Sequence, residues 1–105
     1  MKRELKKHLP LFEYLIALTP SKRASTLQTL KSDVYQFIFD LLFNLNQGVV
    51  PVPDLVIEQL RPYKRVIKSL TVKQKSLKQR KKEFLKKDYF SKLFAPLLPV
   101  LRNLS

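Results

Sequence analysis

The chain has 105 residues, 45% of them apolar, with 21 Lys and Arg against 8 Asp and Glu, one histidine and no cysteine, for a formal net charge of +13. A chain of this length makes one small domain at most and buries roughly two-thirds of its unfolded surface, which excludes multidomain enzymes and leaves a thin core. Without cysteine there is no disulfide framework and no thiolate metal site, and one histidine cannot build a multi-histidine site. The acid, base and nucleophile inventory is nearly absent, so composition favours binding over catalysis.

In chain order, residues 3–18 place Leu5, Leu9, Phe12 and Ile16 at helical spacing, with Leu15 and Leu18 widening the stripe. Pro10 predicts that the regular helix starts close to it, where a proline costs little. His8, in the basic N-terminal stretch after Lys6 and Lys7, is expected to be an exposed titrating side chain. Thr19-Pro20 reads as an N-cap followed by an N1 proline, opening a second helix that turns Ala24, Leu27 and Leu30 inward. Ser32-Asp33 is a second cap. It starts the most apolar helix, with Val34, Phe37, Ile38, Leu41, Leu42 and Leu45, and Gly48 suits a left-handed C-terminal cap.

Val49-Val50-Pro51-Val52-Pro53 cannot continue a helix and reads as a stiff connector. Asp54 favours a helix start, after which Val56, Leu60, Tyr63, Ile67 and Leu70 recur at helical spacing, interrupted at Pro62. Ser76-Leu77-Lys78-Gln79 fits a capping box that opens a basic helix with Leu77, Phe84 and Leu85 as anchors. From Tyr89 the chain turns apolar again, broken by Pro96 and Pro99, and the expected arrangement is a kinked strap packed back on the bundle. The predicted fold is all-α, a small bundle of about four to five short helices with a basic C-terminal helix and an apolar tail. Its spans are a bundle over 1–70, a basic helical arm over 71–92 and the tail over 93–105.

Charge is concentrated in the second half. Residues 1–60 carry a net +1, and residues 61–105 a net +12, with Glu83 and Asp88 the acids of that half. Such an imbalance calls for a polyanion. The candidate phosphate contacts are Lys64, Arg65, Lys68, Lys73, Lys75, Lys78, Arg80, Lys81, Lys82, Lys86 and Lys87. Lysine predominates among them and acts as a point charge on phosphates, whereas base reading prefers arginine, so the expectation is binding to duplex DNA without sequence preference. Tyr63, Phe84, Tyr89 and Phe90 have the chemistry to stack on bases, but their helical spacing assigns them to the core. Arg80-Lys81-Lys82 also satisfies the loose pattern of a nuclear import signal.

A second reading makes the tail a membrane-active or capsid-docking segment through Phe90, Leu93, Phe94, Leu97, Leu98 and Leu101, with the lysines meeting anionic headgroups. A host-protein interaction module is a third, and an enzyme a distant fourth. No run of about 18 uncharged apolar residues is present, and the stretch after the basic N-terminus lacks a cleavage pattern, so secretion is not expected. The single glycine excludes glycine-rich phosphate cradles, and no catalytic residue, metal site or cofactor is expected.

Leu45-Asn46-Gln47-Gly48-Val49-Val50-Pro51-Val52, followed by Leu60, Arg61, Lys64, Val66, Ile67, Leu70 and then Ser76-Leu77-Lys78-Gln79-Arg80-Lys81, resembles a group of short basic proteins. These are encoded by polinton (maverick) elements and their adintovirus relatives, linear double-stranded DNA elements with adenovirus-like capsid genes. The resemblance includes the leucine-rich stretch Leu11 to Arg23 and spans most of the chain. Many members carry a Gly-Gly-Phe-Leu-like protease junction before the tail, where this chain has Lys87-Asp88-Tyr89-Phe90. The resemblance implies an accessory protein similar in style to adenovirus core proteins, neutralising packaged DNA in the virion interior and the host nucleus, with capsid proteins as further partners.

Overall fold

The computed structural model describes residues 2–105. Its seven α-helices are α1 (Lys2–Ala17), α2 (Pro20–Gln28), α3 (Ser32–Asn46), α4 (Asp54–Leu60), α5 (Lys64–Leu70), α6 (Leu77–Leu85) and α7 (Tyr89–Leu104), with a 3₁₀ turn over Arg61–Tyr63 between α4 and α5. No strand occurs among the described residues. The chain is all-helical. There are more helices than the four to five expected because the Pro62 turn divides residues 54–70 into α4 and α5 and the tail is itself a helix, α7.

Several boundaries follow from local chemistry. Thr19 caps α2, its Oγ1 accepting from the Lys22 amide at 3.4 Å, and Pro20 opens the helix. Gly48 adopts φ +75° and closes α3. There the Gly48 amide donates to the Leu45 carbonyl and the Val49 amide to that of Asn44, the paired bonds of a Schellman ending. Ser76 and Gln79 form the reciprocal capping box, with bonds of 3.1 and 2.9 Å. At Pro62 the Glu58 carbonyl instead takes the Arg61 amide in a tighter turn. Ser32 itself is the first residue of α3, and Lys31 occupies the cap position without a side-chain bond.

Three other prolines behave differently. Pro10 lies inside α1, which begins at Lys2 rather than near the proline, and Pro96 and Pro99 lie inside an α7 that runs unbroken over 16 residues. Each removes a bond to the carbonyl four residues earlier, on Lys6, Lys92 and Ala95. All three of those residues are exposed, so the freed carbonyls are on the wet side, while the opposite faces of both helices are buried. Apolar burial on one face thus holds a helix that proline alone would interrupt.

α7 is the chief partner of α1. Phe90, Leu93, Phe94, Leu97, Leu98 and Leu101, nominated above as a membrane or capsid contact, are all buried in the core. Phe90 and Phe94 stack at 4.6 Å and Phe12 meets both rings. In this fold those six side chains are interior packing rather than a surface. The spans 1–70, 71–92 and 93–105 all contribute to a single core, which includes Leu5, Ile38, Leu70, Phe84 and Leu97.

Two polar residues inside that core depart from the sequence reading. His8 is buried, stacked 4.8 Å from Phe37, because it shares the inward face with Leu5, Phe12 and Leu15. In α2 Leu27 is buried, and Leu30 just beyond it half-buried, as expected, but the residue that shares the inward face with them is Arg23, 5% exposed, whereas Ala24 faces solvent. The Arg23 guanidinium donates to the carbonyls of Leu15 at 2.8 Å, Ile16 at 3.2 Å and Leu18 at 2.6 Å, and to the carboxylate of Asp88 immediately before α7. One side chain therefore caps the negative end of α1 and pins the start of α7. Replacing it leaves three carbonyls and a carboxylate short of donors. Arg23→Met is expected to lower stability by roughly 3 kcal/mol, and Arg23→Lys to recover only part because one ammonium cannot span the four acceptors. Urea unfolding followed by far-UV circular dichroism measures both; a Met variant as stable as the parent contradicts the capping role.

Candidate nucleic-acid interface

The second half of the chain builds a cationic surface on α5, the following loop and α6. On α5, Ile67 and Leu70 face the core, and this turns Lys64, Arg65 and Lys68 outward. On α6, Phe84 is buried and Leu77, Arg80, Lys81 and Leu85 are half-buried, which commits one side of the helix inward. Lys78 and Lys82 stand on the opposite side one turn apart, and Lys86 follows at the same spacing beyond the helix end. Lys73 in the loop and Lys87 after α6 are exposed as well.

The eleven nominated cations consequently divide. Lys64, Arg65, Lys68, Lys73, Lys78, Lys82, Lys86 and Lys87 are exposed, and none makes an ion pair with a described residue. Lys75, Arg80 and Lys81 are half-buried and engaged internally. Lys75 pairs with Glu83 at 3.0 Å and also bonds Ser69. Arg80 places its guanidinium 5.2 Å from the Phe39 ring centre. Lys81 lies 4.9 Å over Tyr35 and donates to the Gln28 carbonyl at the end of α2. These three hold α6 down by cation–π contact and hydrogen bonding, which compensates for its few apolar anchors. Two of the three residues of the Arg80-Lys81-Lys82 motif, Arg80 and Lys81, therefore face inward.

The aromatic residues weighed for base stacking divide similarly. Phe84 and Phe90 are fully buried and Tyr63 and Tyr89 half-buried, all within or against the core. Tyr35, beneath Lys81, donates its hydroxyl to the Leu27 carbonyl, and burial pushes its pKa up to about 12, so it stays a neutral donor at any ordinary pH.

The acids of this half are committed within the fold. Asp88 holds Arg23, and Glu83 joins α6 to α5 by accepting from Ser69 and Lys75, each at 3.0 Å. Sequence reading weighed Glu83 and Asp88 as charge opponents of the lysines and missed their bridging roles. The nearest available signal was that the region spares just these two acids. Among the described residues no group of three or more His, Cys, Asp or Glu converges to hold a metal ion, and no helix is long and apolar enough to cross a membrane.

Comparison with protein-family models, with curated proteins and with solved structures finds no match to this chain.

The Glu83 bridge generates a pH test. Burial disfavours its charged form, but the hydrogen bonds from Ser69 and Lys75 and the charges of Lys75 and Lys86 outweigh that cost and hold the carboxyl below its ordinary value of 4.5. A carboxyl with a depressed folded pKa stabilises the fold above its unfolded pKa, and that stability is lost as pH falls through the folded value. Glu83→Gln is accordingly expected to cost about 1 kcal/mol at neutral pH, with the difference from the parent shrinking below the ordinary carboxyl value. Thermal unfolding from neutral to acid pH tests it; a pH-independent difference contradicts the bridge.

Proposed function

We propose that this chain is a non-enzymatic protein that binds duplex DNA through its phosphates, without sequence preference, and condenses it. The observation that carries the reading is the division of charge just described: eight exposed cations without acidic partners beside three cations and two acids spent on folding. The outward set is dominated by lysine, which neutralises phosphates but reads bases poorly. Affinity then comes from counterion release. The longest dimension of the molecule, 31 Å, spans about 18 phosphates of duplex DNA counted on both strands, ample for eight contacts.

The resemblance to polinton and adintovirus basic proteins supplies the setting of this proposal. In it the chain is an adenovirus-core-like accessory of a DNA element, acting in the virion interior and the host nucleus, with α6 as its basic helix and α7 following it. Capsid proteins remain partners in that setting. The tail does not supply a membrane contact in this reading, since its apolar stripe is occupied by α1.

A salt titration on an arbitrary duplex, with anionic liposomes in parallel, tests the proposal. If all eight exposed cations reach phosphates, log affinity falls against log salt with a slope of about −7, whatever the sequence. Neutralising Lys78, Lys82 and Lys86 to Gln reduces that slope by about 3 and weakens binding uniformly across sequences. Weak DNA binding beside salt-resistant liposome association overturns the reading, as does an effect of the triple substitution confined to one sequence.

A further inference from the structure

A groove of about 590 Å³ crosses α3 between the start of α1 and the loop after α5. That volume suits a small ligand. Its floor is aromatic: Phe37 and Phe39 are buried, while Phe43 stays half-exposed. Its cations are Lys73, whose Nζ hovers 5.1 Å over the Phe43 ring, and Arg80. The Nε of Arg80 is closed off from solvent and has no acceptor among the described residues, an expensive state for a charged donor.

The remaining lining sharpens the fit. Asp40 accepts from the Gln36 amide at 2.9 Å through one oxygen, leaving the other without a protein donor. Glu4 also faces the groove. Two carboxylates disfavour a bare inorganic anion and suit a ligand that brings both a phosphate and N–H donors on a planar ring. Lys73 is exposed and held at the groove by the ring face, so a phosphate can draw it aside and free Phe43 for stacking.

We propose that this groove holds one unpaired nucleotide of DNA, its amino-bearing base stacked on Phe43 with the N–H edge toward Asp40 and its phosphate held by Lys73 and by the part of the Arg80 guanidinium that lines the groove, not by the enclosed Nε. The inference rests on the nucleic-acid reading above and narrows it, placing strand ends and unpaired stretches here while duplex backbone meets the exposed lysines. Stacking on a single aromatic ring and a charged acceptor for an exocyclic amine are established means of holding an unstacked base.

The test is an NMR titration of the full chain with a 5′-phosphorylated trideoxynucleotide carrying guanine between two thymines, beside an all-thymine control. Expected are upfield shifts of the Phe43 ring protons, perturbation of the Lys73 and Arg80 side chains, and about tenfold tighter binding of the guanine strand. Phe43→Leu keeps apolar volume and removes the ring, and is expected to lose about tenfold in trinucleotide affinity with duplex binding unchanged. Asp40→Asn, at an exposed position, is expected to abolish the preference for guanine. Equal trinucleotide affinity in Phe43→Leu and parent, or shifts confined to Lys78–Lys87, overturns the groove even where duplex binding is steeply salt-dependent. Trinucleotide shifts at Phe43 without duplex binding support the groove and overturn the duplex reading alone.

Discussion

The fold depends on one arginine. Arg23 reaches back from α2 to the last carbonyls of α1 and across to Asp88, the residue before α7, while α1 and α7 form the central contact of the core. It thereby fixes the relation between the first and last helices, whose facing stripes supply Phe12, Leu15, Phe90 and Phe94. A buried guanidinium is tolerable because it has four acceptors with two geometries, carbonyl and carboxylate, and sits at the negative end of a helix. A short chain with a thin core has few ways to join its ends. Here the closure is made by polar chemistry at one rim, with Arg102 and Glu13 adding an exposed 2.7 Å pair between the same two helices.

Once the ends are joined, the second half must be attached, and it has little apolar material for the purpose. α6 is held by Phe84, by the half-buried Leu77 and Leu85, and by cations used as packing groups over Tyr35 and Phe39. The stems of Lys81 and Arg80 cover aromatic surface while their charges meet π faces and a carbonyl. The same helix therefore carries two kinds of basic residue. Those spaced with Phe84 belong to the fold, and Lys78 and Lys82, half a turn away, do not. In a helix, position relative to the buried stripe decides the role, and residue type does not.

That rule also explains what was legible in the sequence. Thr19-Pro20, Gly48, Pro62 and the Ser76 capping box were readable because each depends on residues within one turn of itself. The apolar stripes were readable from spacing, which gave the all-helical class and most of the core. Pro10, Pro96 and Pro99 were misread as breaks, since their local cost is overridden by burial against helices distant in sequence. His8 and Arg23 were missed for the same reason. Their partners, Phe37 in one case and Asp88 in the other, lie far along the chain, and a polar residue on an inward face announces nothing until its partner is known. The candidate interface was legible as a region but not residue by residue, because eleven cations at similar spacing look alike before Phe84 defines the inward side.

The acids complete the logic. A surface with eight unpaired cations repels itself, and the cheapest remedy for a chain is to place acids among them. This chain has two acids in that half and uses both inside, Asp88 on Arg23 and Glu83 on Lys75. Internal bridges thus stabilise the fold without neutralising the face, so the acids serve folding while the eight exposed cations display charge. Under the proposed function, compensation of the outward charge is left to the polyanion, and binding and stability become linked: a ligand that engages only the folded face stabilises it in proportion to the logarithm of its concentration. High salt acts oppositely on the two halves of that linkage, screening the self-repulsion of the free protein while weakening its hold on phosphate. On that proposal salt shifts the two in opposite directions, stabilising the free fold and weakening the complex.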